Sequence, residues 1–332
     1  MITKAQSISL SIIRVLSMCL IVACHITQKY DMPIAFLLNV GVQIFFFTSG
    51  FLYGKLEITS IKDFVKKRFT KVYIPYFIVI LLLISSYIIF SIEDISIKQI
   101  VSYVLNIQLF TNPIGGGNHL WFLTVIMICY AITPLLQRAL KNNPIIVFIG
   151  LILFAIAEFV FVQKLYGLCA SICLYIFGML VGRCETKKIN LGINILSGLV
   201  VVGLFSVFTW NHLIDAEYKE YNTWLHFNLG IFIFISLYNI LPFFINENKK
   251  YKLLKQADSI SYEVYLVHHP IILGPLSLLL ITPYYSINII IVIILSVIMA
   301  YALKYCCSFI NSKLGNLEKM STLPKKYINN RE

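Results

Sequence analysis

Two ionisable residues stand inside an apolar stretch near the start of the chain: Arg14 and His25, in SISLSIIRVLSMCLIVACHITQ, Ser7–Gln28. A stretch of this length matches a helix crossing the roughly 30 Å hydrocarbon core of a bilayer at about 1.5 Å per residue. A charge placed in lipid costs at least ~2.5 kcal/mol, so such residues usually face protein or a wet cavity. Eleven residues at about 100° each complete three turns to within about 20°, so the two side chains share one helix face, about 16 Å apart in depth. That pattern describes a lined passage with a cation at one level and an imidazole at another. In the plainer reading, Arg14 anchors to a neighbouring helix and His25 rests at the interface. The shared face favours the passage.

Composition sets the class. The chain is 59% hydrophobic and 13% charged, with a mean hydropathy of +0.83. It reads as an all-α, polytopic integral membrane protein and not as a soluble domain. The net charge of +12 would suggest nucleic acid in a soluble chain, but its distribution along the loops has another explanation. None of the eight cysteines forms a Cys-x-x-Cys pair, and most lie in apolar spans, where thiols act as small hydrophobes. Arg14 within the first span, and no convincing small-residue cleavage site after it, argue against a signal peptide.

Hydropathy predicts about ten spans: Ser7–Gln28, Ile34–Tyr53, Val72–Ile92, Asn118–Gln137, Pro144–Val162, Tyr166–Gly182, Leu191–Trp210, Trp224–Ile245, Ser259–Ile281 and Ser286–Ile310. The membrane domain is expected over residues 1–310, with 311–332 a polar cytoplasmic tail. Outside the first span, all Lys and Arg except Lys29, Lys98, Lys164 and Lys219 fall on one set of alternate segments. By the positive-inside rule that set is cytoplasmic. Both termini then face the cytoplasm, which an even span count requires. The basic excess is therefore mainly a topology signal, and nucleic acid is not needed to explain it. Lys66, Lys67, Arg68 and Lys71 gather at the cytoplasmic mouth of the third span. Positive-inside bias accounts for such a cluster, and so does a dock for a phosphate-bearing ligand.

At this point the chain resembles the acyltransferase 3 family of integral-membrane acyltransferases, through six blocks in the family's order. They are Arg14 with His25, GVQIFFFTSGFLYG (Gly41–Gly54), KKRFTKVYIPYF (Lys66–Phe77), NHLWFLTVIMICYAITPLL (Asn118–Leu136), the weaker IFGMLVGR (Ile176–Arg183) and SISYEVYLVHHP (Ser259–Pro270). The resemblance implies transfer of an acyl group, usually acetyl from acetyl-CoA, to a hydroxyl of a cell-envelope carbohydrate, in the plasma or inner membrane. Many relatives carry an additional extracytoplasmic hydrolase-like domain. With about twenty residues after Ile310, this chain resembles the stand-alone type.

The residues themselves allow a mechanism beside the resemblance. His25 is suited to take the proton of an acceptor hydroxyl near pH 7, or to carry the acyl group transiently. Arg14 is too deep to serve the same reaction centre and is better placed to bind a phosphate or the pantetheine arm of the donor. Lys67, Arg68 and Lys71 would hold the donor at the mouth. Glu158, in the fifth span, lies at a depth comparable with His25; it could fix the imidazole tautomer or hydrogen-bond another helix.

Asn118, His119 and Trp121 could form an acceptor platform, with Trp121 stacking on a sugar ring or belonging to the interfacial aromatic belt. His268, near mid-depth, matches the family's closing His, while Ser49 and Tyr265 are carried by motif alone. Glu263 sits nearer the cytoplasm. His212 and His226 border an exposed loop and read as ordinary. No His-Glu-x-x-His or paired-His spacing argues for a metal. Gly115–Gly117 lacks a following Lys-Ser/Thr and reads as a loop hinge. The alternatives are an exporter of a glycan or lipid-linked sugar, disfavoured by the absence of related halves, and a scaffold whose polar residues only hold helices together.

Overall fold

The computed structural model describes the backbone of residues 2–165, 168–212 and 219–321, and the side chains of 2–156, 168–186, 188–207 and 223–313. These residues form thirteen α-helices and no strand. In order they are α1 (Lys4–Lys29), α2 (Ala35–Leu38), α3 (Gly41–Lys55), α4 (Ile61–Arg68), α5 (Ile74–Ile89), α6 (Ile97–Val104), α7 (Trp121–Asn142), α8 (Pro144–Leu165), α9 (Leu168–Arg183), α10 (Lys187–His212), α11 (Lys219–Phe244), α12 (Lys252–Ile272) and α13 (Tyr285–Ser321). Seven helical segments among the described residues are long and apolar enough to cross a membrane. Pro144–Ile156 and Leu168–Arg183 are apolar but shorter, and α12 does not meet the same criterion. The molecule is a helical membrane protein.

Sequence sets the local structure of α1. Thr3 caps it in a reciprocal box with Gln6, satisfying two of the amides a helix start leaves unpaired. Four hydroxyls buried along the bundle turn back on their own helices: Ser9 to Ala5 O, Ser17 to Ile13 O, Thr48 to Ile44 O and Thr133 to Cys129 O. Each polar group is thereby satisfied where water is absent.

The tightest contact is α3 on α9, and glycine makes it possible. Gly50 and Gly54, four residues apart on α3, meet the α9 backbone at Tyr175 and Met179; Gly178 and Gly182, four apart on α9, meet α3 at Phe47 and Phe51. A Cβ on Gly50 would lie 1.9 Å from Tyr175 O, and one on Gly182 would lie 2.3 Å from Phe51 O. Only backbone against backbone fits there, the close approach that small residues permit in lipid. Gly182→Val should therefore lower stability by at least about 1–3 kcal/mol, as overpacking does. Gly203→Ala, with open space at its Cβ, should be neutral or slightly stabilising. Thermal melts followed by size exclusion in detergent compare the two, and equal melting points would contradict the packing argument.

Three departures from the sequence reading matter for the site. First, α12 begins at Lys252 and ends at Ile272, whereas the apolar run predicts Ser259–Ile281. After Leu273 the Gly274-Pro275 pair does not continue the helix, and the amide of Leu278 turns back to Ile271 O. Asp258 thus falls inside the helix, and His268 near its end instead of at mid-depth.

Second, Gly115–Gly117 is a fastened loop and not a hinge. Glu93 Oε2 accepts from Gly115 N, and Gly115 O accepts from Tyr87 Oη; Gly116 O lies 2.8 Å from His269 Nδ1. Gly116 has φ +71°, and its Cα side abuts Pro270 and Gly274, so no other residue fits comfortably.

Third, a π-helical turn, Phe69–Tyr73, joins α4 to α5 just before Pro75. Such a bulge re-aims the chain at the point where the basic cluster sits.

Candidate active site

α1 and α12 run side by side and carry matching spacings. Arg14, Ile21 and His25 on α1 stand beside Asp258, Tyr265 and His269 on α12; both sets step by seven and then four residues. At one end Arg14 grips Asp258 with two hydrogen bonds, Nε to Oδ1 at 2.7 Å and Nη2 to Oδ2 at 2.6 Å. Ser11 Oγ donates to the same carboxylate at 2.8 Å. The fork-on-carboxylate geometry is the strong form of this pair. The side chains retain 28% and 16% exposure because both line a cavity of about 830 Å³.

That cavity is cationic. Arg14, Arg68, Lys71 and Lys304 line it against Asp258 and Glu263, and Asp258 is already engaged. The Arg68 guanidinium sits 5.3–5.8 Å from the ring centres of Tyr53, Phe64 and Tyr130. Its Nε is buried without a hydrogen-bond partner. Aromatic walls hold the cation in place by cation–π attraction without neutralising it. Ser49 and Tyr265 also line the cavity. Lys67 is exposed on α4 and is not among the lining residues.

Eleven residues further along α1, His25 enters a cluster of four imidazoles. Its ring centre is 5.3 Å from His268 and 4.7 Å from His269, and His119 stacks on His269 at 4.4 Å. The rings meet by faces and edges, and among the described residues no His, Cys, Asp or Glu group is arranged to hold a metal ion. His25 Nδ1 lies 3.2 Å from Gln28 Oε1. With the amide oxygen as acceptor, Nδ1 carries the hydrogen and Nε2 keeps its lone pair. Gln28 is therefore placed to hold the imidazole tautomer; Glu158, which the sequence offers either for that role or for a hydrogen bond to another helix, has its side chain outside the described residues. Tyr265 Oη donates to the His119 carbonyl, tying α12 to the start of α7.

His25, His119, Asn118 and Trp121 line a second cavity of about 510 Å³. The two cavities share three lining residues, Ile21, Val42 and Tyr265. They are back to back. The Arg14 and His25 ends of one helix face therefore open into separate chambers with a thin wall between them.

The family model for this acyltransferase domain matches residues 7–308, nearly the whole chain. The chain belongs to the acyltransferase 3 family. No curated protein and no solved structure matches it.

Within this acyltransferase the structure brings together most of the residues singled out from sequence. Arg14, Arg68, Lys71 and Ser49 gather at one chamber; His25, Asn118, His119, Trp121 and His268 gather at or beside the other; Tyr265 borders both. Sequence reasoning passed over Asp258, His269 and Gln28. Each carried a signal: Asp258 and His269 are seven before and four after Tyr265, and Gln28 is one turn from His25. His226, read as a loop-border residue, is buried on α11 with Nε2 2.6 Å from Phe36 O; His212 lies outside the described side chains.

Proposed function

We propose that the chain transfers an acyl group, acetyl foremost, from acyl-CoA in the Arg14 chamber to a hydroxyl of a cell-envelope carbohydrate in the His25 chamber. The observation that carries this reading is the pair of back-to-back cavities sharing Ile21, Val42 and Tyr265. The cationic chamber suits the phosphates of CoA, and the lysine distribution supports a cytoplasmic location for that end, where acyl-CoA is made. The pantetheine arm is long and thin enough to carry the thioester to the wall. Ten spans with both termini in the cytoplasm complete the arrangement.

In direct transfer the acceptor oxygen attacks the thioester carbonyl while His25 Nε2 takes its proton. The C–S bond then breaks, and the sulfur leaves as the thiol with the proton returned from His25. In a two-step transfer the same Nε2 attacks first, CoA departs, and the hydroxyl displaces the imidazole. Arg14, held square by Asp258, binds the donor and not the reacting carbonyl.

Purified protein in detergent with acetyl-labelled acetyl-CoA tests the reading. Saturable binding with slow hydrolysis or transfer is expected, and label retained on protein in the absence of acceptor marks the two-step route. Folded protein that binds no acetyl-CoA would overturn the donor assignment and bring the exporter reading forward.

A further inference from the structure

A third cavity of about 680 Å³ lies beside the His25 chamber, built by the segment between α5 and α7. It shares Pro113, Asn118 and Trp121 with that chamber, so the two cavities adjoin along those residues. Its walls are mixed: Ser96, Gln99, Gln108, Thr111 and Asn112 supply hydroxyls and amides beside the apolar Leu109, Phe110 and Pro113. Trp121, half-buried, supplies aromatic surface, and Tyr103 lies fully buried beneath the floor. Lys98 is the one charged residue among those that line it. The nearby Glu93 carboxylate does not line it and is occupied by the Gly115 amide.

The floor is built, and not a chance gap between loops. Gln108 is buried and donates to Leu120 O at 2.6 Å and to Asn106 Oδ1. Tyr103 Oη accepts from Ile114 N at 3.0 Å and donates to Gly117 O. Burial pushes the Tyr103 phenol up to about 12, the Ile114 amide works against that rise, and the Glu93 carboxylate adds to it. Tyr103 therefore remains a neutral hydrogen-bonding group.

Amides and hydroxyls around an aromatic face are the chemistry that recognises sugar rings. A lipid tail would leave the amides and hydroxyls of Gln99, Thr111 and Asn112 facing hydrocarbon, and a nucleotide would need more than one cation. Either cavity alone falls within the range that encloses a whole small ligand, roughly 300–1,000 Å³, so a single sugar in the His25 chamber leaves the adjoining cavity empty. We infer that this adjoining cavity is a binding site for the flanking units of an anionic oligosaccharide acceptor, with Lys98 pairing with a carboxylate or phosphate one or more units from the acylated hydroxyl. The inference rests on the acceptor reading of the His25 chamber.

Its test needs no donor. A trimer of uronic acid, its neutral methyl ester and the free monouronate are titrated against purified protein in detergent, read by quenching of tryptophan fluorescence. The trimer should bind about fivefold more tightly than its methyl ester, the size of one exposed ion pair, and more tightly than the monomer. Lys98→Gln should erase the preference while leaving affinity for the methyl ester unchanged, and Lys141→Gln should do nothing. Equal affinity for trimer and ester, equal affinity for monomer, a preference surviving Lys98→Gln, or no binding would each overturn the cavity assignment. Acetyl-CoA turnover in the same preparation separates the two readings: turnover without glycan preference defeats the cavity assignment alone, and glycan binding without donor binding defeats the acyl-transfer reading.

Discussion

His25→Gln should reduce acyl transfer about 10²- to 10⁴-fold while leaving acetyl-CoA binding unchanged. The fold-change is the usual contribution of a positioned acid–base group. Glutamine keeps the length and a hydrogen bond to Gln28, so the cluster loses the two ring contacts to His268 and His269 but no chamber wall. It has no lone pair of suitable basicity to take a hydroxyl proton, and it cannot carry an acyl group. The proposed donor site lies about 16 Å away along the helix, in the chamber lined by Arg14 and Arg68. Binding measured by equilibrium dialysis and turnover measured with labelled acetyl-CoA should therefore separate. If His25→Gln transfers at the wild-type rate, or loses binding along with turnover, the division of labour along α1 is wrong.

The Arg14–Asp258 pair yields the second large effect, and here stability and function should part. Arg14→Ala leaves the Asp258 carboxylate, 16% exposed, with only Ser11 as partner. Breaking a buried pair from one side costs about 3–5 kcal/mol, and contact with the chamber places this case towards the lower end. Asp258→Ala should cost a similar amount by stranding the guanidinium. Arg14→Ala with Asp258→Ala removes both charges and should recover much of the lost stability, because pair energies of this kind are not additive. Donor affinity should not recover, since the cation that meets the donor is still missing. Melting temperature and acetyl-CoA affinity measured on the three variants decide it. Recovery of both in the double variant would reduce Arg14 to a helix anchor.

Fold class and the approximate positions of the helices were legible in the sequence because lipid imposes a coarse rule. An apolar run of about 20 residues must be a helix that satisfies its own backbone. Helix ends followed less well. Apolar residues continue through Leu278–Ile281 beyond the true end of α12, so hydropathy alone carried that span nine residues too far and left Asp258 in a loop. The glycines at 50, 54, 178 and 182 spell a close helix contact in each segment separately, but nothing in either segment says that the other is its partner.

The sequence by itself determined that Arg14 and His25 share a face, because helical periodicity is a property of a single segment and needs no neighbour. It also determined family membership, through six ordered blocks. Only the tertiary structure decided what that face meets. Laying α12 along α1 in matching register set Asp258 against Arg14 and His269 against His25, and put Tyr265 and Ile21 on the wall between two chambers. Those are contacts across more than two hundred residues of chain, and no local spacing rule carries information over that distance.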